Sequence, residues 1–138
     1  MLVISIQSQV VHGHVGNSAA VYPMQAEGVT VAAVPTALLS NHPHYPTMHG
    51  TIFEPELVGE LLRGVEERGL VEDASILLTG YLGSPAIAER VARFAERAQR
   101  INPRLRYVCD PVIGDDDLGV FVAEGMAELF RDRLVPLA

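Results

Sequence analysis

The residues best placed to do chemistry lie in the run Tyr107-Val108-Cys109-Asp110-Pro111-Val112-Ile113-Gly114-Asp115. A short apolar segment ends abruptly in an acid, a proline and a glycine followed by more acid. In an open parallel sheet, this is how a buried strand stops and delivers a carboxylate to the crevice at its C-terminal end, where such sheets take their ligands. A carboxylate there can order the water shell of a magnesium ion or repel misplaced phosphate oxygens, which is small-molecule enzyme chemistry. The same aspartate can equally cap a turn or a helix, and this segment alone leaves both roles open. The run Asp115-Asp116-Asp117 could hold a cation; more often such a run is a solvated turn, so only Asp115 is expected to matter.

Other candidates gather at predicted strand ends. The turn Gly13-His14-Val15-Gly16-Asn17-Ser18 follows a strand and precedes a helix, the place for a phosphate or ligand cradle. It matches neither the dinucleotide fingerprint nor the Lys-Ser/Thr ending of a P-loop, and its glycines have the simpler reading of permitting positive φ. Ser8, just past the first predicted strand, is a ligand hydrogen-bonder or a cap. Tyr81, in Thr79-Gly80-Tyr81-Leu82-Gly83-Ser84, is placed to cover a planar ligand, or else to pack half-buried with a wet hydroxyl. Five histidines fall in two groups, His12 with His14 and His42, His44 with His49. Both groups sit in predicted loops without cysteine or rigid carboxylate support, which argues against zinc. The loop Ser40-Asn41-His42-Pro43-His44-Tyr45-Pro46 is stiffened by two prolines, as suits a binding loop or an ordinary surface crossover.

The elements that must position these residues alternate between strand and helix. Residues 2–6 read as a buried strand, followed by a helix that starts near Asn17 and ends at Gly28. Residues 29–34 form a second strand. Pro55 opens a helix with Leu57, Leu61 and Val65 on one stripe, supported by Val58 and Leu62, and Gly69 closes it. Residues 75–78 are a third strand. Ser84 caps a helix with Pro85 at its first position and Ile87, Val91, Phe94 and Ala98 facing inward, and Asn102-Pro103 stops it. Residues 107–109 are the fourth strand, and Met126, Leu129 and Phe130 mark a last helix. Strands separated by helices imply an α/β fold, an open and mostly parallel sheet with right-handed crossovers and helices on both faces.

With 138 residues, 49% of them hydrophobic, the chain is one domain's length and can bury a core. Its formal net charge of −7 argues against nucleic acid or an anionic membrane as partner. The apolar residues 1–6 are too few for a signal peptide's hydrophobic region, and no run approaches a membrane span. The single cysteine, Cys109, excludes an internal disulfide and reads as a small buried hydrophobe. A cytoplasmic protein is expected.

Taken in chain order, Ile6-Gln7-Ser8, GHVGNSAA at 13–20, Ser40-Asn41-His42, Thr79-Gly80-Tyr81-Leu82-Gly83-Ser84 and Cys109-Asp110-Pro111-Val112 resemble pyridoxal kinase of the ribokinase-like superfamily. The resemblance implies a Rossmann-like three-layer fold and transfer of the γ-phosphate of ATP to the 5′-hydroxyl of pyridoxal, in vitamin B6 salvage. It also implies a homodimer that uses magnesium, often with potassium. By this resemblance Ser8 hydrogen-bonds the pyridine substituents, Val15 and Tyr81 line the ring faces, and the loop carrying His42, Pro43 and His44 closes over the ring. Asp110 approaches the ATP phosphates, and Asp115 helps to hold the metal's waters.

The chain departs from the family pattern in two ways. Pro43-His44 stands where many members carry Thr followed by Gln or Gly, so a hydroxyl contact is lost and His44 is the candidate substitute. The Thr-Pro-Asn and Gly-x-Gly-Asp motifs do not occur in this sequence. The second of them supplies the family's catalytic base, so no catalytic residue is expected among residues 1–138, and that aspartate is expected to lie beyond Ala138. The expectation is therefore the N-terminal, substrate-binding half of such a kinase, incomplete at its C-terminal end, inactive alone, and carrying an unpaired sheet edge prone to associate. Two alternatives remain open: a hydroxymethylpyrimidine-type kinase of the same superfamily, and a non-catalytic B6-vitamer-binding or dimerisation module.

Overall fold

A computed structural model describes residues 1–138. In chain order it runs β1 (Leu2–Val10), α1 (Gly16–Ala26), β2 (Thr30–Leu39), β3 (Gly50–Ile52), α2 (Pro55–Glu67), α3 (Leu70–Asp73) and β4 (Ile76–Thr79). There follow α4 (Pro85–Ile101), β5 (Arg106–Cys109), a small hairpin of β6 (Gly114–Asp115) and β7 (Gly119–Val120), and α5 (Met126–Leu129), which continues through Leu134 as a widened helical turn. The main sheet has the order β3-β2-β1-β4-β5. β2, β1, β4 and β5 are parallel, while β3 returns antiparallel beside β2.

This is the α/β sheet expected, with its strand order reversing at β1. The chain moves outward from β1 to β2, then crosses back to β4 and β5. Right-handed crossovers consequently put α1 on one face and α2 and α4 on the other. The crevice between the C-terminal ends of β1 and β4 is where open sheets of this kind bind ligands.

Most of the core lies between the sheet and the α2–α4 face. Ile4, Ile6, Leu77, Val58, Leu62, Val91 and Phe94 are almost wholly withdrawn from solvent there. Ser84 caps α4 through a 3.3 Å bond from the Ile87 amide, and Pro85 occupies its first turn, as expected. At the far end Asn102 is buried, and its Nδ2 donates to the carbonyls of Val71, Glu72 and Ala74. It thereby closes α4 against α3. No helix is long and apolar enough to cross a membrane.

The structure corrects several boundaries. β1 does not stop at Ile6 but runs to Val10, so Ser8 lies inside the strand rather than just past it. Polar Gln7, Ser8 and Gln9 continue the ladder because β2 itself extends to Leu39 and supplies partners. Gln7 pairs with Pro35 but Gln9 pairs with Leu38, so β2 carries one extra residue opposite Ser8, a bulge next to a proline that has no amide to give. In α2 the inward stripe is Val58, Leu62 and Val65, whereas Leu57 and Leu61 are 47% and 37% exposed. The helix offers two apolar rows, and contact with α4 and β2 selects the second. β3 and the β6–β7 hairpin have no counterpart in the sequence reading.

Candidate functional site

The site is assembled where β1, β4 and β5 end. Beside β1, the turn into α1 is fixed by polar bonds. Buried Asn17 accepts from Ser5 Oγ at 2.8 Å and donates to the carbonyls of Gln7 at 3.1 Å and Val34 at 3.3 Å. Ser18 Oγ donates to the Val10 carbonyl at 2.8 Å and accepts from the Val10 amide at 3.0 Å. The N-terminus of α1 is thus pressed onto β1. Gly16, at φ +54°, is required by this approach, because a Cβ there would lie 2.2 Å from the Ser8 carbonyl oxygen.

The β4 end is tied in from the other side. Thr36, at the β2 bulge, donates to the Tyr81 carbonyl at 2.7 Å and fixes the loop after β4. Gly80 admits Gln7 closely, since a Cβ at 80 would meet the Gln7 side-chain oxygen at 2.4 Å. Burial pushes the Tyr81 phenol above its ordinary pKa, so it stays a neutral donor and acceptor. The Asp110 amide bonds to the Thr79 carbonyl at 2.9 Å, placing Asp110 at the strand end beside this loop.

These elements enclose a cleft of about 590 Å³. Six of the eight residues singled out from the sequence line it: Ser8, Val15, His42, Pro43, Tyr81 and Asp110. Ser8 is 4% exposed, while Asp110 is open to solvent. Ala19, Ala20, Leu39, Leu78 and Val112 give the walls an apolar character. Sequence reasoning missed Gln7, Met48 and Phe121. Met48 and Phe121 reach the cleft only through the turns before β3 and after β7, which carry no periodic signal.

His44 and Asp115 lie elsewhere. They line an outer hollow of about 500 Å³ that shares His14, Val15, His42, Pro43 and Phe121 with the cleft. Both carboxylate oxygens of Asp115 are engaged: Oδ1 accepts from the Leu118 amide at 2.7 Å, closing the hairpin turn, and Oδ2 faces His44 Nε2 at 3.4 Å. No cluster of three metal-ligating groups occurs. Magnesium keeps several waters and needs only one or two carboxylates plus phosphates, so exposed Asp110 fits it. Asp115 fits only if it gives up His44.

Ala138 takes no part in the site and lines neither hollow. It is an exposed residue whose amide donates to the Val135 carbonyl at 3.1 Å in a short helical turn. That turn is tied to α4 instead, through the Gln99 side-chain amide and the Leu137 carbonyl at 2.7 Å. The physical reason is the packing of Phe130 and Leu134 into the core beside α4, which draws the segment after them to that helix.

The arrangement suits a small, planar, mainly apolar molecule held by a few polar groups, with a carboxylate at the rim. No family model matches the chain. Among curated proteins it is 48% identical over 136 residues to the pyridoxine/pyridoxal/pyridoxamine kinase of Bordetella bronchiseptica, covering 99% of this chain and 48% of that protein. It is 44% identical over 138 residues to pyridoxal kinase PdxY of Granulibacter bethesdensis, covering 100% of this chain and 48% of that one. The solved pyridoxal kinase of Leishmania donovani in complex with ADP and pyridoxamine superposes with a TM-score of 0.86 at 34% identity, covering 94% of this chain and 47% of that chain. The Entamoeba histolytica pyridoxal kinase shares the fold, with a TM-score of 0.92 at 24% identity, over 99% of this chain and 48% of that one. The chain spans about half the length of the curated relatives it matches. Along nearly its whole length it is therefore related to the pyridoxal kinases, and it carries the ribokinase-like fold of about half of one.

Proposed function

We propose that this chain forms the substrate-binding half of a pyridoxal kinase. The whole enzyme would move the γ-phosphoryl group of ATP onto the 5′-hydroxyl of pyridoxal. The observation that carries the reading is the convergence of Ser8, Val15, His42, Pro43, Tyr81 and Asp110 on one cleft at the sheet's reversal point. Relatives named for this reaction match along 99% of the chain.

In this reading the Ser8 hydroxyl meets the polar edge of the pyridine ring, and Val15 and Tyr81 cover its faces. The loop with His42 and Pro43 closes the outer side, where His44 follows at the rim. Asp110 faces the phosphates and helps to hold magnesium's waters. Asp115 joins it only when released from His44. The 5′-oxygen forms the new bond to the γ-phosphorus, the bond to the bridging oxygen breaks, and ADP leaves. The hydroxyl proton needs a base, which the family pattern places in Gly-x-Gly-Asp, a motif this sequence does not contain. Binding without turnover is accordingly the expected behaviour of the 138-residue chain. ATP, magnesium with potassium, a homodimer and a cytoplasmic setting complete the proposal for the whole protein.

Equilibrium dialysis of pyridoxal and pyridoxine against the purified chain tests this. All ten basic residues are arginines, so the N-terminal amine is the sole primary amine with which the aldehyde can condense. Saturable binding of both vitamers without ATP is expected, weakened about two- to tenfold by Ser8→Ala, the worth of one hydrogen bond. No saturable binding would overturn the reading. The position of Pro43 in the cleft wall favours one second reading, a hydroxymethylpyrimidine-type kinase. Tighter binding of hydroxymethylpyrimidine than of pyridoxine would decide for it.

A further inference from the structure

The outer hollow is built from three segments that are remote in sequence. His12 and His14 come from the turn after β1, His42, His44 and Tyr45 from the 40–49 loop, and Asp115 from the β6–β7 hairpin. Their rings form a continuous chain. Tyr45 stands edge-on to His12 at 6.0 Å between centroids, His42 lies 4.9 Å from Tyr45, and His44 is edge-on to His42 at 5.5 Å. The chain of contacts ends in the His44–Asp115 pair at 3.4 Å.

Both members of that pair are held from behind. The His44 amide donates to His42 Nδ1 at 3.3 Å, which fixes the loop backbone, and Asp115 is held by the Leu118 amide. At the base of the loop, Ser40 and His49 are joined by a 2.7 Å backbone bond and a 2.9 Å bond from the His49 amide to Ser40 Oγ. The His44–Asp115 pair is the one polar contact between this loop and the hairpin, so the two can separate on that side only when it parts. The hairpin that receives the tip follows β5 through the short segment that begins with Asp110.

We propose that His44 and Asp115 act as a clasp, holding the 40–49 loop against the 114–120 hairpin across the outer side of the cleft, so that a ligand leaves only when the pair opens. They are positioning residues. The clasp rests on the reading of the cleft as a vitamer site for its effect on ligand release, but not for its mechanical part. It also joins the loop over the substrate to the segment at the nucleotide side, so that disturbing either end is felt at the other.

The test is a double-mutant cycle in the 138-residue chain, with pyridoxine as the probe and stopped-flow dissociation as the readout. His44→Gln and Asp115→Asn are each expected to speed dissociation about two- to fivefold, as one partly exposed polar contact allows. The double variant is expected to release pyridoxine no faster than the single ones, because both remove the same contact. Thermal unfolding should stay unchanged in all three, which a merely structural role would not give. Unchanged release in the single variants, or multiplying effects in the double one, would overturn the clasp. If pyridoxine does not bind at all, the vitamer reading falls, and the clasp is judged on the unliganded chain by nitrogen-15 NMR. There, His44→Gln should move the Leu118 amide resonance on the hairpin, and an unmoved resonance would overturn the proposal.

Discussion

The two faces of the sheet are built by different means. On the α2–α4 face, Val58, Leu62 and Val65 meet Ile87, Val91, Phe94 and Ala98 in a dry apolar layer. On the opposite face α1 buries a single residue, Asn17, and is held by hydrogen bonds from Asn17 and Ser18 to β1 and β2. Apolar burial is non-directional and scales with area, so it stabilises without dictating geometry. Hydrogen bonds fix distance and angle. The first face therefore keeps the chain folded, and the second keeps the cleft in shape.

The largest effect expected from this contrast is on the first face. Phe94 is fully buried, and Phe94→Ala should cost about 3–5 kcal/mol in denaturant unfolding through lost transfer energy and a residual cavity. The fraction still folded should bind pyridoxine as tightly as wild type. Weaker binding by that folded fraction would erase the division between the faces.

On the second face, Asn17→Ala should cost less stability but disturb more geometry. It leaves the Gln7 and Val34 carbonyls without their side-chain donor, worth about 1–3 kcal/mol. The turn ahead of α1 then loses its anchor, and pyridoxine affinity should fall beyond what the unfolded fraction explains. A variant with reduced stability and an unchanged affinity per folded molecule would show that α1 is merely another packed helix.

A smaller effect separates the buried sheet from both faces. The hydroxyls of Tyr107 and Thr79 lie 2.9 Å apart, and burial is the main cause pushing the Tyr107 phenol well above its ordinary value. A phenol whose folded pKa is raised keeps its proton longer in the folded state than in the unfolded one. Its contribution to stability is complete below pH about 10 and is lost as the pH rises above that. Tyr107→Phe should cost about 1 kcal/mol at neutral pH for the lost hydrogen bond, and should flatten the alkaline decline in stability. An alkaline slope identical to that of wild type would assign the decline to other groups.

The same contrast explains what the sequence disclosed. The dry face was legible because strands of Ile, Leu and Val alternate with amphipathic helices, and because Ser84-Pro85 and Asn102-Pro103 mark the ends of α4. The cleft was legible as a set of residues at strand ends, six of which converge. What escaped was held by tertiary pairing. β3 is three exposed residues with no apolar alternation, and it is a strand only because β2 extends to Leu39 and offers an edge. The end of β1 was hidden because Gln7, Ser8 and Gln9 read as a loop, although Ser5, Gln7 and Asn17 satisfy one another inside the fold. The two apolar rows of α2 could not be ranked before their neighbours were known. The engagement of Asp115 by His44 had no local signature, since the two residues belong to different loops.

The smallest expected change in stability, and the sharpest for function, is at Pro43. This residue is exposed, lines the cleft, and stands where the family pattern carries threonine. Its ring gives the loop no amide and no hydroxyl, so of the loop residues lining the cleft, His42, Pro43 and Met48, only His42 carries a polar side chain. Pro43→Thr should leave thermal unfolding within about 0.5 kcal/mol, because no buried contact is lost. If the loop lies over the vitamer as proposed, the added hydroxyl should tighten pyridoxine about two- to tenfold, the worth of one new hydrogen bond. Loss of affinity for pyridoxine together with a gain for hydroxymethylpyrimidine would move the assignment to the pyrimidine kinases. No change for either ligand would mean that the loop does not touch the ring, and that only the polar-pinned α1 face and the β4 end shape the cleft.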